Sequence, residues 1–371
     1  MVKKFVYGTP FETEAVVKEI PSSEGNPDYG TFSTENGFSF TTKLADDDMV
    51  FGLGEANRGI NKRGFLYISD CADDPNHVES KTSLYAAHNF IIISGKTHVG
   101  FFFDYPGTLR FDIGYTTSDT MTVSCENADL YVYMITGDSD LDIVKQFRGI
   151  IGRSYIAPKF AFGYGQSRWG YKTEDDFRTV VKKYRENHVP LDMVYMDIDY
   201  MQDYKDFTVN EERFPDFEGF VQDMKKEKIH LVPIIDAGVK VEEGYDIYEE
   251  GCEKGYFCRR EDGSYFEATV WPGWTHFPDV LNADARAWFG QKYERLISKG
   301  IDGFWNDMNE PAMFCTPEGV AELKEYIKDN FMDKEEAPGF TLGDKVNALA
   351  NNPEDYKRFY HNVNGQKIRH D

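Results

Sequence analysis

The sequence predicts two domains: an antiparallel β-sandwich over residues 1–150, then the first half of a (β/α)8 barrel over residues 158–371. Three observations carry this expectation. The first 150 residues hold short strand-like runs between turn residues, with no long helical pattern. After Pro158 the rhythm changes to apolar strands alternating with amphipathic helices, which indicates parallel βα units. Carboxylates also close three successive apolar runs: Asp197 and Asp199 the second of the half-barrel, Asp236 the third and Asp307 the fourth. Barrel sites gather at the C-terminal ends of the strands, so this repetition places acidic chemistry on one face.

In chain order, Asn89-Phe-Ile-Ile-Ile-Ser, Val99-Gly-Phe-Phe-Phe-Asp, Met121-Thr-Val-Ser and Leu130-Tyr-Val-Tyr-Met-Ile read as sandwich strands. Asp104-Tyr-Pro-Gly and Thr136-Gly-Asp are turns between or after them. Leu141, Val144, Phe147 and Ile151 lie on one face of a helix over 140–151 that Gly152 closes. Phe160-Ala-Phe-Gly-Tyr-Gly is expected as the first barrel strand, and Thr173-Glu-Asp-Asp opens the helix after it. Met193-Val-Tyr-Met-Asp-Ile, a helix over 217–228, His230-Leu-Val-Pro-Ile-Ile, a helix over 283–299 and Ile301-Asp-Gly-Phe-Trp-Asn complete the four units. Residues 239–280 are too many for a simple loop and predict an inserted subdomain. Residues 311–371 read as a second insertion after strand four, a polar stretch of helix and loop from Glu318 onward with no fifth strand.

Composition limits the function classes. The 64 acidic against 41 basic residues leave a net charge of -23, which repels phosphate backbones and anionic lipid. Nucleic acid and membrane are therefore not expected as partners, and a neutral substrate is. The five cysteines are scattered without a CxxC pair, and Cys252 and Cys258 lack a second pair for a zinc site. No metal and no organic cofactor are expected, and a reduced compartment fits. The start MVKKFVYGTPFETEAVV has no apolar signal core, so the expected location is the cytoplasm.

A lone Asp after a strand can simply cap a helix, and that reading stays open for Asp199 and Asp236. It fits Asp307 less well, because Phe304-Trp-Asn-Asp-Met-Asn-Glu-Pro crowds this carboxylate among aromatics and amides.

Trp305-Asn-Asp-Met-Asn-Glu-Pro311 resembles the nucleophile signature of glycoside hydrolase family 31, the α-glucosidase type. Gly163-Tyr-Gly-Gln-Ser-Arg-Trp-Gly-Tyr171 is similar to that family's first barrel strand and Met196-Asp-Ile-Asp-Tyr-Met201 to its second. Val270-Trp-Pro-Gly resembles its inserted loop, while Phe51-Gly-Leu-Gly-Glu and Ser83-Leu-Tyr-Ala-Ala-His-Asn-Phe90 resemble its N-terminal sandwich. The ordered matches run from about residue 50 to residue 314. A Lys-Thr-Asp-Phe-Gly-Glu-like run, as in the family's xylosidase branch, is not what stands around Asp307, and this favours glucosides.

The resemblance implies Asp307 as nucleophile and Asp197 as a hydrogen-bonding partner of sugar hydroxyls. Ile198, Ile235, Trp271, Trp305 and Met308 would wall the glucose subsite, although the Trp and Ile residues also suit plain barrel core. Trp169 stands where the family often has Tyr, and Asp73 would reach from the sandwich toward the acceptor side, with Asp74 as its rival. The implied activity is retaining hydrolysis of terminal non-reducing α-linked glucose from oligosaccharides, through a covalent glucosyl-enzyme on Asp307. An α-glucan lyase or transglucosylase of the same family, or a non-catalytic sugar-binding barrel, remains an alternative. The resemblance places the acid/base Asp past residue 371, so this segment alone is expected to be inactive and poorly soluble. Linkage, chain length and homo-oligomerisation stay open.

Overall fold

The computed structural model describes residues 1–71, 77–331 and 340–371, and the chain divides into units Met1–Ile156 and Ala157–Asp371. The first unit is a sandwich of two five-stranded antiparallel sheets. Its strands are β1 (Val2–Tyr7), β2 (Thr31–Ser33), β3 (Phe38–Lys43), β4 (Met49–Gly52), β5 (Phe65–Ser69), β6 (Phe90–Ser94), β7 (His98–Asp104), β8 (Leu109–Ile113), β9 (Thr120–Cys125) and β10 (Leu130–Gly137). One sheet runs β1-β10-β7-β6-β4 and the other β2-β3-β9-β8-β5.

Period-two alternation builds the core between them. Phe38, Phe40, Phe101, Phe103 and Phe111 all point inward and are buried, with Phe40 and Phe101 ring centroids 4.6 Å apart. Six successive residues of β10 are buried because its sheet is covered on both faces. The second sheet covers one face, and helix α1 (Asp140–Ile151) packs Ile143 and Ile150 against Ile92, Tyr133 and Ile135 on the other. Ser139 caps α1 by accepting from the Asp142 N–H, and Gly152 ends it at φ 89°, where a side chain would be strained.

The second unit opens with β11 (Gly165–Gln166), α2 (Glu174–Glu186), β12 (Met193–Met196), α3 (Phe217–Lys226) and β13 (His230–Asp236). Next come β14 (Val239–Lys240), α4 (Asp246–Lys254), β15 (Glu267–Val270) and β16 (Gly273–His276), then α5 (Ala283–Lys292), α6 (Glu294–Ile297) and β17 (Trp305–Asp307). It ends with α7 (Pro317–Asn330), α8 (Phe340–Asn347), α9 (Pro353–Tyr356), β18 (Tyr360–Val363) and β19 (Gln366–Arg369). The four strands β11-β12-β13-β17 are parallel in that order. Helices α2 and α3 bury Phe177, Phe220, Val221 and Met224 against this sheet's Val194, Leu231 and Ile234. Strands β14-β16-β15 form a separate antiparallel sheet.

Several details depart from the sequence expectation. Residues expected as the first barrel strand begin with a 3-10 turn over Lys159–Phe162, and only Gly165 and Gln166 pair with β12. Pro158 starts the turn, and Phe160 is drawn out of any strand alternation by stacking on His230 at 3.6 Å. Strand four covers Trp305–Asp307 rather than starting at Ile301, because pairing with β13 begins at Trp305 opposite Ile234. The helix expected over 283–299 is two runs that meet at Tyr293, whose hydroxyl donates to Asn306 Oδ1 at 2.5 Å. The tail is not only helix and loop. Tyr360–Arg369 is an antiparallel hairpin turning at Asn364-Gly365, both at positive φ.

Candidate active site

The C-terminal ends of β12, β13 and β17 bring carboxylates together. Asp307 ends β17 and is paired in register with Asp236, the last residue of β13. Side chains at paired positions of neighbouring strands leave on the same side of the sheet, which is what places these two acids together. Asp197 follows β12 directly and accepts the Ile198 N–H at 2.8 Å, starting a short 3-10 turn. Met308, immediately after Asp307, has φ 55°, a left-handed conformation rare for a residue with a side chain. The chain therefore turns sharply at the strand end. The Glu310–Pro311 peptide that follows is cis.

The electrostatics differ between the acids. Asp236 is only 2% exposed, and neither carboxylate oxygen has a hydrogen-bond partner among the described residues. Burial, followed by the charges of Asp307, Asp197 and Glu310, pushes its pKa up to about 8. Asp236 is thus a neutral acid at neutral pH. Asp206 lies beneath it, fully buried, and its Oδ1 accepts the Asp236 backbone N–H at 3.0 Å. Burial and then the Asp236 charge raise Asp206 well above the carboxylate range. Asp197 is half-buried and also raised, by burial first and then by Asp199, against the lowering effect of the Ile198 N–H. Asp199 is paired with a cation, its Oδ1 3.3 Å from the Arg213 guanidinium.

The apolar residues named from the sequence fall into two sets. Ile198 and Ile235 are buried in the half-barrel core, and Met308 in a smaller cluster with Val270 and Met313. Trp305 packs at the core margin, edge-on to Tyr195 at 6.2 Å. Trp169 and Trp271 are exposed and lie together with centroids 6.1 Å apart, and Trp271 meets Phe314 edge-on at 4.9 Å. Phe314 arrives there because its N–H donates to Thr269 O at 2.8 Å, joining the segment after β17 to β15. Sequence reasoning did not single out Phe314 or Asp206. Asp73 and its rival Asp74 lie outside the described residues.

Residues 154–369 match the Glycosyl hydrolases family 31 TIM-barrel domain, and residues 11–112 match the Glycosyl hydrolase 31 N-terminal galactose mutarotase-like domain. The chain belongs to glycoside hydrolase family 31. Similar relatives include Alpha-glucosidase 2 of Bacillus thermoamyloliquefaciens, 37% identical over 277 residues, covering 73% of this chain and 35% of the relative. Alpha-glucosidase of Saccharolobus solfataricus is 27% identical over 337 residues, 90% of this chain and 48% of its own length. Among solved structures, a Flavobacterium johnsoniae family 31 dextranase in complex with isomaltotriose superposes with TM-score 0.73 at 22% identity. That superposition covers 89% of this chain and 36% of the dextranase, and at this identity it bears on the fold alone. The chain thus spans between about a third and a half of the length of these relatives.

The family match includes a mutarotase-like sandwich and a TIM-barrel domain, which is the architecture seen in the two units. Among the described residues no helix is long and apolar enough to cross a membrane.

Proposed function

We propose that the protein containing this chain is a retaining α-glucosidase that removes terminal non-reducing α-linked glucose from oligosaccharides. The observation that carries this reading is the placement of Asp307 at a parallel-strand end, beside a neutral Asp236 and close behind Asp197. Asp307 would attack the anomeric carbon and form a covalent glucosyl-enzyme, with a second carboxyl group about 5–5.5 Å away protonating the leaving oxygen. That acid is not Asp236, because a side chain sealed from solvent cannot reach a glycosidic oxygen and then a water. The resemblance assigns it to sequence past residue 371. Asp197 would hold sugar hydroxyls and strengthen those hydrogen bonds as oxocarbenium character develops. Trp169, Trp271 and Phe314 offer an exposed aromatic surface of the kind that packs against sugar rings. The relatives named α-glucosidases support this substrate class.

The test is mass spectrometry of the native-length protein after exposure to a 5-fluoro-α-glucosyl fluoride, which brings its own leaving group and needs only the nucleophile. Label on the peptide containing Asp307 supports the proposal. A folded, unlabelled protein favours a non-catalytic sugar-binding barrel. Products then separate the enzymes: free glucose indicates hydrolysis, a transferred glucosyl group a transglucosylase, and an unsaturated anhydro sugar a lyase.

A further inference from the structure

A second group of chemically active side chains is made of residues other than the strand-end carboxylates. Cys258, Asp279 and His361 come from distant parts of the second unit, and all three are buried at 1%, 3% and 5% exposure. Cys258 Sγ is 3.6 Å from His361 Nδ1, which is 2.8 Å from Asp279 Oδ1. The thiol, imidazole and carboxylate atoms all lie within 4.8 Å of one another. Phe266, Phe277 and Phe359 pack around them.

This is a zinc-type donor set of sulfur, nitrogen and oxygen. Bonds of about 2.3 Å to sulfur and about 2.0–2.1 Å to nitrogen at a tetrahedral angle give a sulfur–nitrogen edge of roughly 3.6 Å. The Cys258–His361 separation already has that length. The nitrogen–oxygen edge of such a site is roughly 3.3 Å, so Asp279 and His361 would part by about half an ångström on binding. The outer atoms of the ligands are held as well. Asp279 Oδ2 accepts the Asn362 N–H at 2.6 Å, and His361 Nε2 lies 2.9 Å from His370 Nδ1. Such contacts orient metal ligands and fix which imidazole nitrogen faces the ion.

We propose that Cys258, Asp279 and His361 form a buried site for a divalent cation of the zinc class, with the fourth position taken by solvent. The site braces the segment that follows Asp307. His370, against His361, donates its backbone N–H to Phe359 O at 2.9 Å, and Met308, Ala312 and Met313 share one apolar cluster with Cys258 and Phe359. An ion there ties the β18–β19 hairpin and the Asp279 loop to the sharp turn at Met308. The sequence gives no local spacing for such a site, because Cys258 and His361 are 103 residues apart.

The test uses the native-length protein, purified without added metal, and does not depend on activity. The expected result is about one zinc per chain by elemental analysis, falling to roughly a tenth or less in folded Cys258→Ser and His361→Gln variants. After chelation, cobalt(II) is expected to restore occupancy with a thiolate-to-metal absorption band. That band persists in Cys252→Ser/Cys315→Ser, which leaves Cys258 in place, and this keeps the test decisive where Cys258→Ser does not fold. Folded wild-type protein with neither zinc nor the cobalt band overturns the proposal, leaving a hydrogen-bonded cluster. So does zinc retained in Cys258→Ser, or a band lost from folded Cys252→Ser/Cys315→Ser.

Discussion

The two units solve burial in different ways. The sandwich core is almost wholly apolar, built on phenylalanines from both sheets, and its buried Asp104 is satisfied by the Thr13 hydroxyl at 2.6 Å. The half-barrel keeps Asp206 and Asp236 buried, each with at least one carboxylate oxygen lacking a hydrogen-bond partner among the described residues. A buried carboxyl without partners is destabilising by several kcal/mol if charged, so such a group stays neutral or serves a task. The sandwich is arranged for stability. The half-barrel holds such groups at and beneath the end of β13, beside the strand-end acids, which is where enzymes place them.

Substitutions in the two regions should therefore fail differently. The largest effect on chemistry is expected at Asp307→Asn, which removes the proposed nucleophile and should lower kcat by about 10⁴-fold or more. Aryl α-glucoside turnover by the native-length protein checks this, with an unchanged unfolding profile as the control. Activity within tenfold of wild type would move the nucleophile elsewhere. The sandwich counterpart is Phe101→Ala. Phe101 is fully buried between the sheets, and its loss should destabilise the fold by about 3–5 kcal/mol with kcat per folded molecule unchanged. Denaturant unfolding together with active-site titration separates the two effects.

The same contrast governs what the sequence revealed. Sandwich strands and α1 were legible because period-two and 3.6-residue patterns record which face is buried. The capping box that opens α2 was legible as well, since Thr173 and Asp176 bond each other's backbone N–H. The strand-end acids were legible as positions only. Nothing local to Asp236 tells that it is sealed and protonated, because that follows from its burial in the fold and then from the charge of Asp307, seven elements later. Asp206 sits in an irregular loop without periodicity, and only the fold carries it beneath β13. Phe314 reaches Trp271 through backbone bonds to Thr269, again a tertiary matter. The terminal hairpin is different: Asn364-Gly365 is a recognised turn signal, and the polar flanks of Tyr360–Arg369 hid it.

A smaller effect is expected from Asp236→Asn, and it depends on pH. Asp236 keeps its proton in the folded chain up to about pH 8, whereas an unfolded Asp loses it near the ordinary value of 3.8. Between those values the folded state holds more protons, so stability falls as pH rises, by up to about 1.4 kcal/mol per pH unit. The neutral amide removes this slope. Asp236→Asn should therefore gain stability relative to wild type between about pH 5 and about pH 8, read as denaturation midpoints. Parallel pH profiles would mean that Asp236 is ionised and paired in the native-length protein.

The smallest expected effect tests the exposed aromatic surface against the buried cores. Trp271 is 42% exposed, so Trp271→Ala removes less packing than any core substitution and should leave the unfolding midpoint nearly unchanged. It packs edge-on against Phe314 and beside Trp169, so the surface it forms has a defined orientation rather than that of a loose side chain. Losing one aromatic face against a sugar ring is worth about 1 kcal/mol, so KM for oligosaccharides should rise about fivefold while kcat on an activated aryl glucoside changes little. A fall in kcat with unchanged KM would instead place Trp271 against the reacting ring, where its contact forms mainly in the transition state. Loss of stability without either kinetic change would make the Trp169–Trp271–Phe314 group structural, a piece of core that happens to reach solvent.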